Sequence, residues 1–376
     1  MTAAARFEAA LDALAQRHRL RRLEPRAGLD FASNDYLGLA GSALLTEAAR
    51  EALAQGVPPG AGGSRLLRGN HPEHEALEAE AAGFFGAEAA LFMGGGFQAN
   101  QAIFATLPAA GDLILHDALV HASAIEGMRL GRAAARAFRH NDVDGAKQVL
   151  ADWRKAGGRG QVWIAVESVY SMEGDLAPLD DLAQLAHEAE AVLVVDEAHA
   201  TGVFGPEGRG LAHGLKAELL TLHTCGKGLG VSGGLICGPR AMIDMLIARA
   251  RPFIFATAPS PLTAAVLRAA LRALQELPEL LRDAHRRMAH AHAEARNSCG
   301  LEGLQSPIIP VIIGADDATM ARARDLQERG FDVRGIRPPT VPRGTSRLRV
   351  SITGNVGAAD ITALFATIAA QRAEAV

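Results

Sequence analysis

Two apolar runs in this chain each end on residues able to do covalent chemistry. Residues 191–196 close on Asp196, with His199 three positions on. Residues 219–224 lead through Thr224, Cys225 and Gly226 to Lys227, in a turn of small residues. Parallel α/β sheets hold ligands just beyond the carboxyl ends of such strands. A Lys placed there forms a Schiff base with an aldehyde. An Asp nearby pairs with a pyridinium nitrogen, so the two together point to pyridoxal 5'-phosphate (PLP) as an electron sink. Taken alone, the Lys reads as a solvated loop residue and the Asp-x-x-His as a metal pair or a helix N-cap. That both follow apolar runs favours one shared site.

Other post-strand segments add candidates. Gly94-Gly95-Gly96-Phe97-Gln98-Ala99-Asn100 follows residues 89–93 and opens a helical pattern. Consecutive glycines let backbone N–H groups approach a phosphate, and the helix dipole favours the anion; Phe97 can pack near an aromatic ligand. His121, in Asp117-Ala118-Leu119-Val120-His121, can stack on a planar ring or simply cap a helix. Ser171, in Glu167-Ser168-Val169-Tyr170-Ser171, can hydrogen-bond a cofactor or serve only as a turn residue. His285, His290 and His292 share a helical stretch with Arg282, Arg286 and Arg287 and have no carboxylate at matching spacing. They read as a solvated face rather than a metal site, and no metal is expected.

The elements that must position these residues follow an alternating pattern. Strands are expected at 89–93, 112–116, 135–139, 162–167, 191–196, 219–224 and 232–237, and helices at 73–85, 98–106, 121–130, 144–155 and 179–189. That order implies a mostly parallel sheet covered by helices on both faces, an α/β fold. A Gly/Pro-rich loop is expected at 56–69. Beyond Pro259 a long Ala/Leu/Arg stretch reads as helix to about residue 298, broken at Pro278. A strand at 308–313, a helix at 317–329, strands at 331–334 and 347–352 and a last helix to 371 then suggest a smaller α+β domain. The expected division is an N-terminal helix and extended segment (1–38), a large domain (39–270) and a small one (271–376). An amphipathic N-terminal pattern, Phe7, Leu11 and Leu14, predicts a docking helix.

Composition is that of an ordinary globular chain: 376 residues, 49% hydrophobic, 21% charged. The net charge of -4 gives no electrostatic footprint for nucleic acid. No apolar run reaches the length of a membrane span, and no signal-peptide pattern is present. Three scattered cysteines, Cys225, Cys237 and Cys299, predict neither a disulfide framework nor zinc and fit a reducing cytoplasm.

With these motifs in order, the chain resembles the α-oxoamine synthases, PLP enzymes of the fold-type I (aspartate aminotransferase-like) superfamily, over nearly its whole length. The landmarks are Ser33-Asn34-Asp35-Tyr36-Leu37-Gly38-Leu39, Gly62-Gly63-Ser64-Arg65 with Gly69-Asn70-His71-Pro72, Asp196-Glu197-Ala198-His199, Thr224 to Lys227, and Arg337-Pro338-Pro339-Thr340-Val341-Pro342. The resemblance implies that Lys227 holds PLP covalently and later acts as base. It implies Asp196 on the pyridinium nitrogen, His199 on the phenolic oxygen, and His121 stacked on the ring. Ser171 and Thr224 would bind the cofactor, with Gly96 and Phe97 helping to seat it. Thr257 would reach the phosphate of a partner subunit's cofactor. Arg349 would hold the amino-acid carboxylate, with Arg21, Asn34 and Thr340 assisting. Arg347 and Arg349 alternate onto one face of a strand, and only the family match favours Arg349; Arg19 and Arg22 are near alternatives to Arg21.

The activity implied is decarboxylative condensation of L-alanine with a pimeloyl thioester, on CoA or a carrier protein, in biotin synthesis, by a cytoplasmic homodimer with shared active sites. Rival readings are a sister synthase taking glycine or serine with another acyl-CoA, a PLP aldolase or aminotransferase on the same fold, and a catalytically silent subunit. Two departures stand out. The stretch between Arg22 and Phe31 is short, which predicts loss of a small N-terminal β element. Leu67-Arg68 stand where smaller residues are common, at the expected acyl entrance.

Overall fold

The computed structural model describes residues 2–373, in two compact units. The larger comprises residues 35–171 and 176–283; the smaller comprises the N-terminal residues to 34, the insert 172–175 and everything from 284. The expected cuts at 38 and 270 therefore move. The helix Pro261–Glu276 stays with the large unit, against Pro72–Phe85 and Ala43–Ala54. The N-terminal segment is no separate body: Leu29–Asp30 pairs in parallel with Phe331–Asp332.

The large unit is built on a seven-stranded sheet in the order Ala89–Met93, Gly234–Gly238, Glu218–Thr224, Val192–Asp196, Val162–Glu167, Leu113–Asp117, Ala134–Phe138. Gly234–Gly238 alone runs antiparallel to its neighbours; the remaining pairs are parallel. The central strands are apolar on both sides because both sides are covered. In Val192–Asp196, Val192 and Val194 enter the core beneath Gly96–Thr106 and Ala122–Leu130. Leu193 and Val195 enter the opposite core with Leu179, Leu182 and Leu185. This alternation leaves Asp196 at the strand's open end.

Helix starts are marked locally. Asp142 caps Val143–Lys155 by accepting from the Gly145 N–H, and Ser42 does the same for Ala43–Ala54 from the Leu45 N–H. Three helices unforeseen in the sequence, Ala43–Ala54, Arg240–Arg249 and the short Arg251–Ile254, belong to the large unit. The Gly/Pro-rich loop contains a π-helical turn, Arg65–Gly69, on which Leu67 is 85% exposed.

The small unit carries a three-stranded antiparallel sheet, Arg334–Ile336, Ser346–Ser351 and Ile308–Gly314, over a core of Ile309, Val350, Leu364 and Phe365. The strand expected at 331–334 divides at Val333, so that its halves pair in different sheets. His290 and His292 depart from the solvated face expected of them. Each is half-buried, His290 Nε2 donating toward the Ala358 carbonyl and His292 Nε2 toward the Ser306 carbonyl, 2.8 Å away. The N-terminal helix Ala3–Gln16 forms, but none of its residues is buried and Phe7 is 71% exposed. No helix among the described residues is long and apolar enough to cross a membrane.

Candidate active site

In the large unit, the carboxyl ends of neighbouring strands bring the predicted residues together. Val192–Asp196 and Glu218–Thr224 are adjacent and parallel, so the turns after them open side by side. Lys227 Nζ lies 2.9 Å from His199 Nε2. With the ammonium donating to Nε2, the imidazole carries its proton on Nδ1 and donates it to Tyr36 Oη, 2.6 Å away. His199 is thereby clamped between the lysine and a fully buried tyrosine.

Asp196 is held on both oxygens. Oδ2 accepts from Asn100 Nδ2 at 2.8 Å and Oδ1 from the Ala198 N–H at 3.0 Å. The second Asn100 amide hydrogen goes to Ser123 Oγ at 2.9 Å, and Ser123 Oγ meets His121 Nδ1 at 2.7 Å. A continuous hydrogen-bonded chain thus runs from Asp196 through Asn100 and Ser123 to His121. Because Nδ1 also receives the Ser123 N–H, it acts as acceptor, and the neutral ring bears its hydrogen on Nε2. His121 is exposed to solvent. Partial loss of solvent around the ring holds its pKa below the usual range; Asp196 opposes this and Lys227 adds to it. A neutral, exposed ring is what stacking on a planar cofactor requires.

The loop carrying His121 is tied down by Asp117, which is fully buried. Its carboxylate takes the Leu119 N–H at 2.7 Å and the Asn141 N–H at 2.8 Å. Burial works against that charge, but His140 and these N–H groups outweigh it and hold the carboxyl below its usual range.

Glu197 does the same for the loop beyond Asp196. It accepts from Ser168 Oγ at 2.6 Å and from the N–H groups of Leu211 and Ala212. Burial pushes it up to about 7; those three donors pull the other way, and neighbouring Asp196 raises it further.

Gly96 begins the helix Gly96–Thr106, and a Cβ there would collide with Thr224 Oγ1. The glycine lets the helix N-terminus approach the Thr224 strand end, and the N–H groups of a helix start suit an anion. Phe97 is 51% exposed in the first turn, and Ser171 is half-buried in the loop after Val162–Glu167. Thr257 is exposed, in a loop fastened to the Gly62-Gly63 turn by the Ala258 N–H on the Gly63 carbonyl, 2.9 Å.

Of the residues expected to meet the substrate, His121 lies in the large unit, while Arg21, Asn34, Thr340 and Arg349 lie in the small one. Arg347 and Arg349 are both buried on one face of Ser346–Ser351. Their partners separate them. Arg347 Nη1 makes an ion pair with Glu173 at 2.9 Å and reaches the Met172 carbonyl. Arg349 donates to Ser351 Oγ at 2.7 Å and to Asn34 Oδ1 at 3.0 Å, both uncharged. Arg21 Nη2 meets Thr340 Oγ1 at 2.9 Å. Arg19, by contrast, pairs with Asp316.

These residues suit PLP: a buried-edge carboxylate for the ring nitrogen, a half-buried lysine beside a clamped histidine, and a glycine-lined helix N-terminus for a phosphate. The chain belongs to the aminotransferase class I and II family, whose profile matches residues 26–368, and its cofactor is PLP. It is 40% identical to the 8-amino-7-oxononanoate synthase of Anaeromyxobacter dehalogenans, over 96% of this chain and 93% of that one. By sequence it groups within the family with the 8-amino-7-oxononanoate synthases. Among solved structures, a serine palmitoyltransferase with its PLP internal aldimine aligns at TM-score 0.90 and 27% identity, over 100% of both chains. An 8-amino-7-oxononanoate synthase from Francisella tularensis aligns at TM-score 0.76 and 27% identity, over 93% of this chain and 99% of that one.

Four residues of this site were given no role from sequence: Asn100, Ser123, Tyr36 and Glu167. Asn100 carried a signal, a polar side chain on the buried face of a helix otherwise of Ala, Ile and Phe.

Proposed function

We propose that the protein condenses L-alanine with a pimeloyl thioester, on CoA or a carrier protein, and releases 8-amino-7-oxononanoate, CO2 and the free thiol. The observation behind this reading is that an intact Lys227, His199 and Asp196 constellation coincides with 40% identity to a named 8-amino-7-oxononanoate synthase over nearly the full chain.

When bound, PLP supplies an electron sink for negative charge developing at the substrate Cα. Lys227 holds the cofactor and removes the Cα proton. Asp196 keeps the ring nitrogen protonated, His199 binds the phenolic oxygen and His121 stacks on the ring. Ser171 and Thr224 contact the cofactor, and Gly96 and Phe97 seat it. Arg349, with Asn34, grips the alanine carboxylate; Arg21 and Thr340 cover the same substrate. The carboxylate leaves as CO2 after the new carbon–carbon bond has formed at the thioester carbonyl.

A second reading is a sister synthase that takes serine, favoured by the higher TM-score of the serine palmitoyltransferase. Backbone likeness reports fold more than substrate, and sequence identity runs the other way, 27% against 40%. Thiol release from pimeloyl-CoA, measured with alanine, glycine and serine, decides between them; faster turnover with serine and a longer acyl-CoA would overturn the first reading. The same assay tests the grip. Arg349→Lys should weaken alanine dependence roughly ten- to a hundredfold, the worth of a charge-assisted pair that Lys cannot form in two-pronged geometry. Arg347→Lys, its charge already met by Glu173, should leave it near wild type. The opposite ranking would move the carboxylate to Arg347.

The active form is proposed to be a cytoplasmic homodimer in which Thr257 contacts the partner's cofactor, in keeping with the two-fold preference of soluble oligomers and three free, buried cysteines. Sedimentation should show a dimer at assay concentration; a fully active monomer would refute it.

A further inference from the structure

Glu167 ends the strand Val162–Glu167 directly opposite Asp196 in the sheet. It is 3% exposed, and one of its carboxyl oxygens, Oε1, has no hydrogen-bond partner. The backbone N–H groups of Ser171 and His121 point at its carboxyl. Those two donors belong to the loops that carry the proposed cofactor hydroxyl and the proposed stacking ring.

We propose that Glu167 is a positioning residue that stands in the site as a neutral carboxylic acid, anchoring the His121 and Ser171 loops to one strand end and leaving the negative charge to Asp196. Three observations carry this. Two carboxylates on facing strand ends do not both ionise readily, because like charges disfavour the second. Asp196 is the one supplied with donors on both oxygens, Asn100 Nδ2 and the Ala198 N–H, whereas Glu167 Oε1 is left bare. The hollow shared by Glu167, Asp196, Asn100 and His121 amounts to about 10 Å³, the threshold for a single water. A charge on Glu167 would have almost nothing to solvate it, and an unsolvated ionised carboxylate costs far more to bury than a neutral acid.

The other charged and titratable groups around it agree. Burial drives the Glu167 carboxyl well above its ordinary range, Asp196 pushes in the same direction, and Lys227 opposes both. Tyr170, fully buried, is itself pushed upward by burial, then by Asp117 and Glu167, so it stays a neutral phenol and adds no charge beside Glu167.

The test compares Glu167→Gln and Glu167→Ala in the full-length holoenzyme. Gln reproduces the shape and acceptor of the neutral acid. It should keep the wild-type PLP dissociation constant and the pH midpoint of the bound cofactor's absorbance. The infrared difference spectrum of wild type minus Glu167→Gln at neutral pH should contain the C=O stretch of a protonated carboxyl. Ala strands the two backbone N–H groups and should weaken PLP binding roughly tenfold to a hundredfold, the cost of a buried donor losing its acceptor. A purely space-filling role would leave the PLP dissociation constant of Glu167→Ala at the wild-type value, and that result would overturn the anchoring role. If Glu167→Ala does not fold, the Gln variant and the infrared band still decide. The proposal is overturned if wild type lacks that band, or if Gln shifts the midpoint by about a unit or more, the signature of a lost full charge.

Discussion

Lys227→Ala should abolish turnover while leaving PLP bound only by non-covalent contacts. The expectation rests on how few amines the chain offers. Its lysines are Lys147, Lys155, Lys216 and Lys227. The first three are exposed, Lys147 in a surface pair with Asp144, and only Lys227 is half-buried. It follows the strand Glu218–Thr224, with His199 Nε2 2.9 Å from its nitrogen. In the proposed role, removing it deletes both the covalent anchor and the base for the Cα proton; a positioned base alone is worth roughly a hundred- to ten-thousandfold. Borohydride reduction of the wild-type holoenzyme, followed by peptide mapping, should place the reduced cofactor on Lys227. Recovery of the label on Lys216, Lys155 or Lys147 would sink the assignment, as would turnover by Lys227→Ala near the wild-type rate.

What could be read from the sequence was what each segment carries within itself. The strands Ala89–Met93 and Val162–Glu167 have the bounds expected of them, because an apolar run covered on both faces ends where polarity begins. Asp196 and Lys227 announced themselves at such ends. The helix Ala43–Ala54 was also locally marked, by Ser42 at its cap; the signal existed and was overshadowed by the glycines around it. By contrast, Glu167, Asn100 and Tyr36 gain meaning only from sheet order and chain return. Glu167 faces Asp196 because two strands separated by a whole helix become neighbours, and Tyr36 meets His199 across 163 residues of sequence.

The arginines show the same limit. Period-two alternation placed Arg347 and Arg349 on one face and could not rank them. The fold adds an ion pair from Arg347 to Glu173, and that pair depends on a four-residue insert, 172–175, joining the small unit. Gly174 permits that joining: its φ of +71° is a left-handed conformation, and a Cβ there would strike the Ile308 carbonyl.

Asp196→Asn is expected to have the other large effect. Its carboxylate is to supply a charge-assisted hydrogen bond to the ring nitrogen, worth about 1.5–3 kcal/mol. If that bond acts fully on carbanion formation, its loss slows the step roughly ten- to a hundredfold. The surroundings make the upper end the better expectation. Asp196 accepts from Asn100 Nδ2 on one oxygen and from the Ala198 N–H on the other. An asparagine has a single amide oxygen, so either orientation aims its NH2 at one of those donors. A flip that preserves the Ala198 contact breaks the chain through Asn100 and Ser123 to His121, loosening the stacking ring as well as the electron sink. The substitution therefore damages two supports of one charge. The measurement is exchange of the alanine Cα proton in deuterated water without acyl donor, which isolates the carbanion-forming step from condensation. Asn100→Ala is the companion: it removes one support and keeps the charge, so its exchange rate should fall between wild type and Asp196→Asn. Exchange by Asp196→Asn at the wild-type rate would remove Asp196 from the ring nitrogen, and a slower rate for Asn100→Ala than for Asp196→Asn would put the chain to His121, rather than the charge, in control.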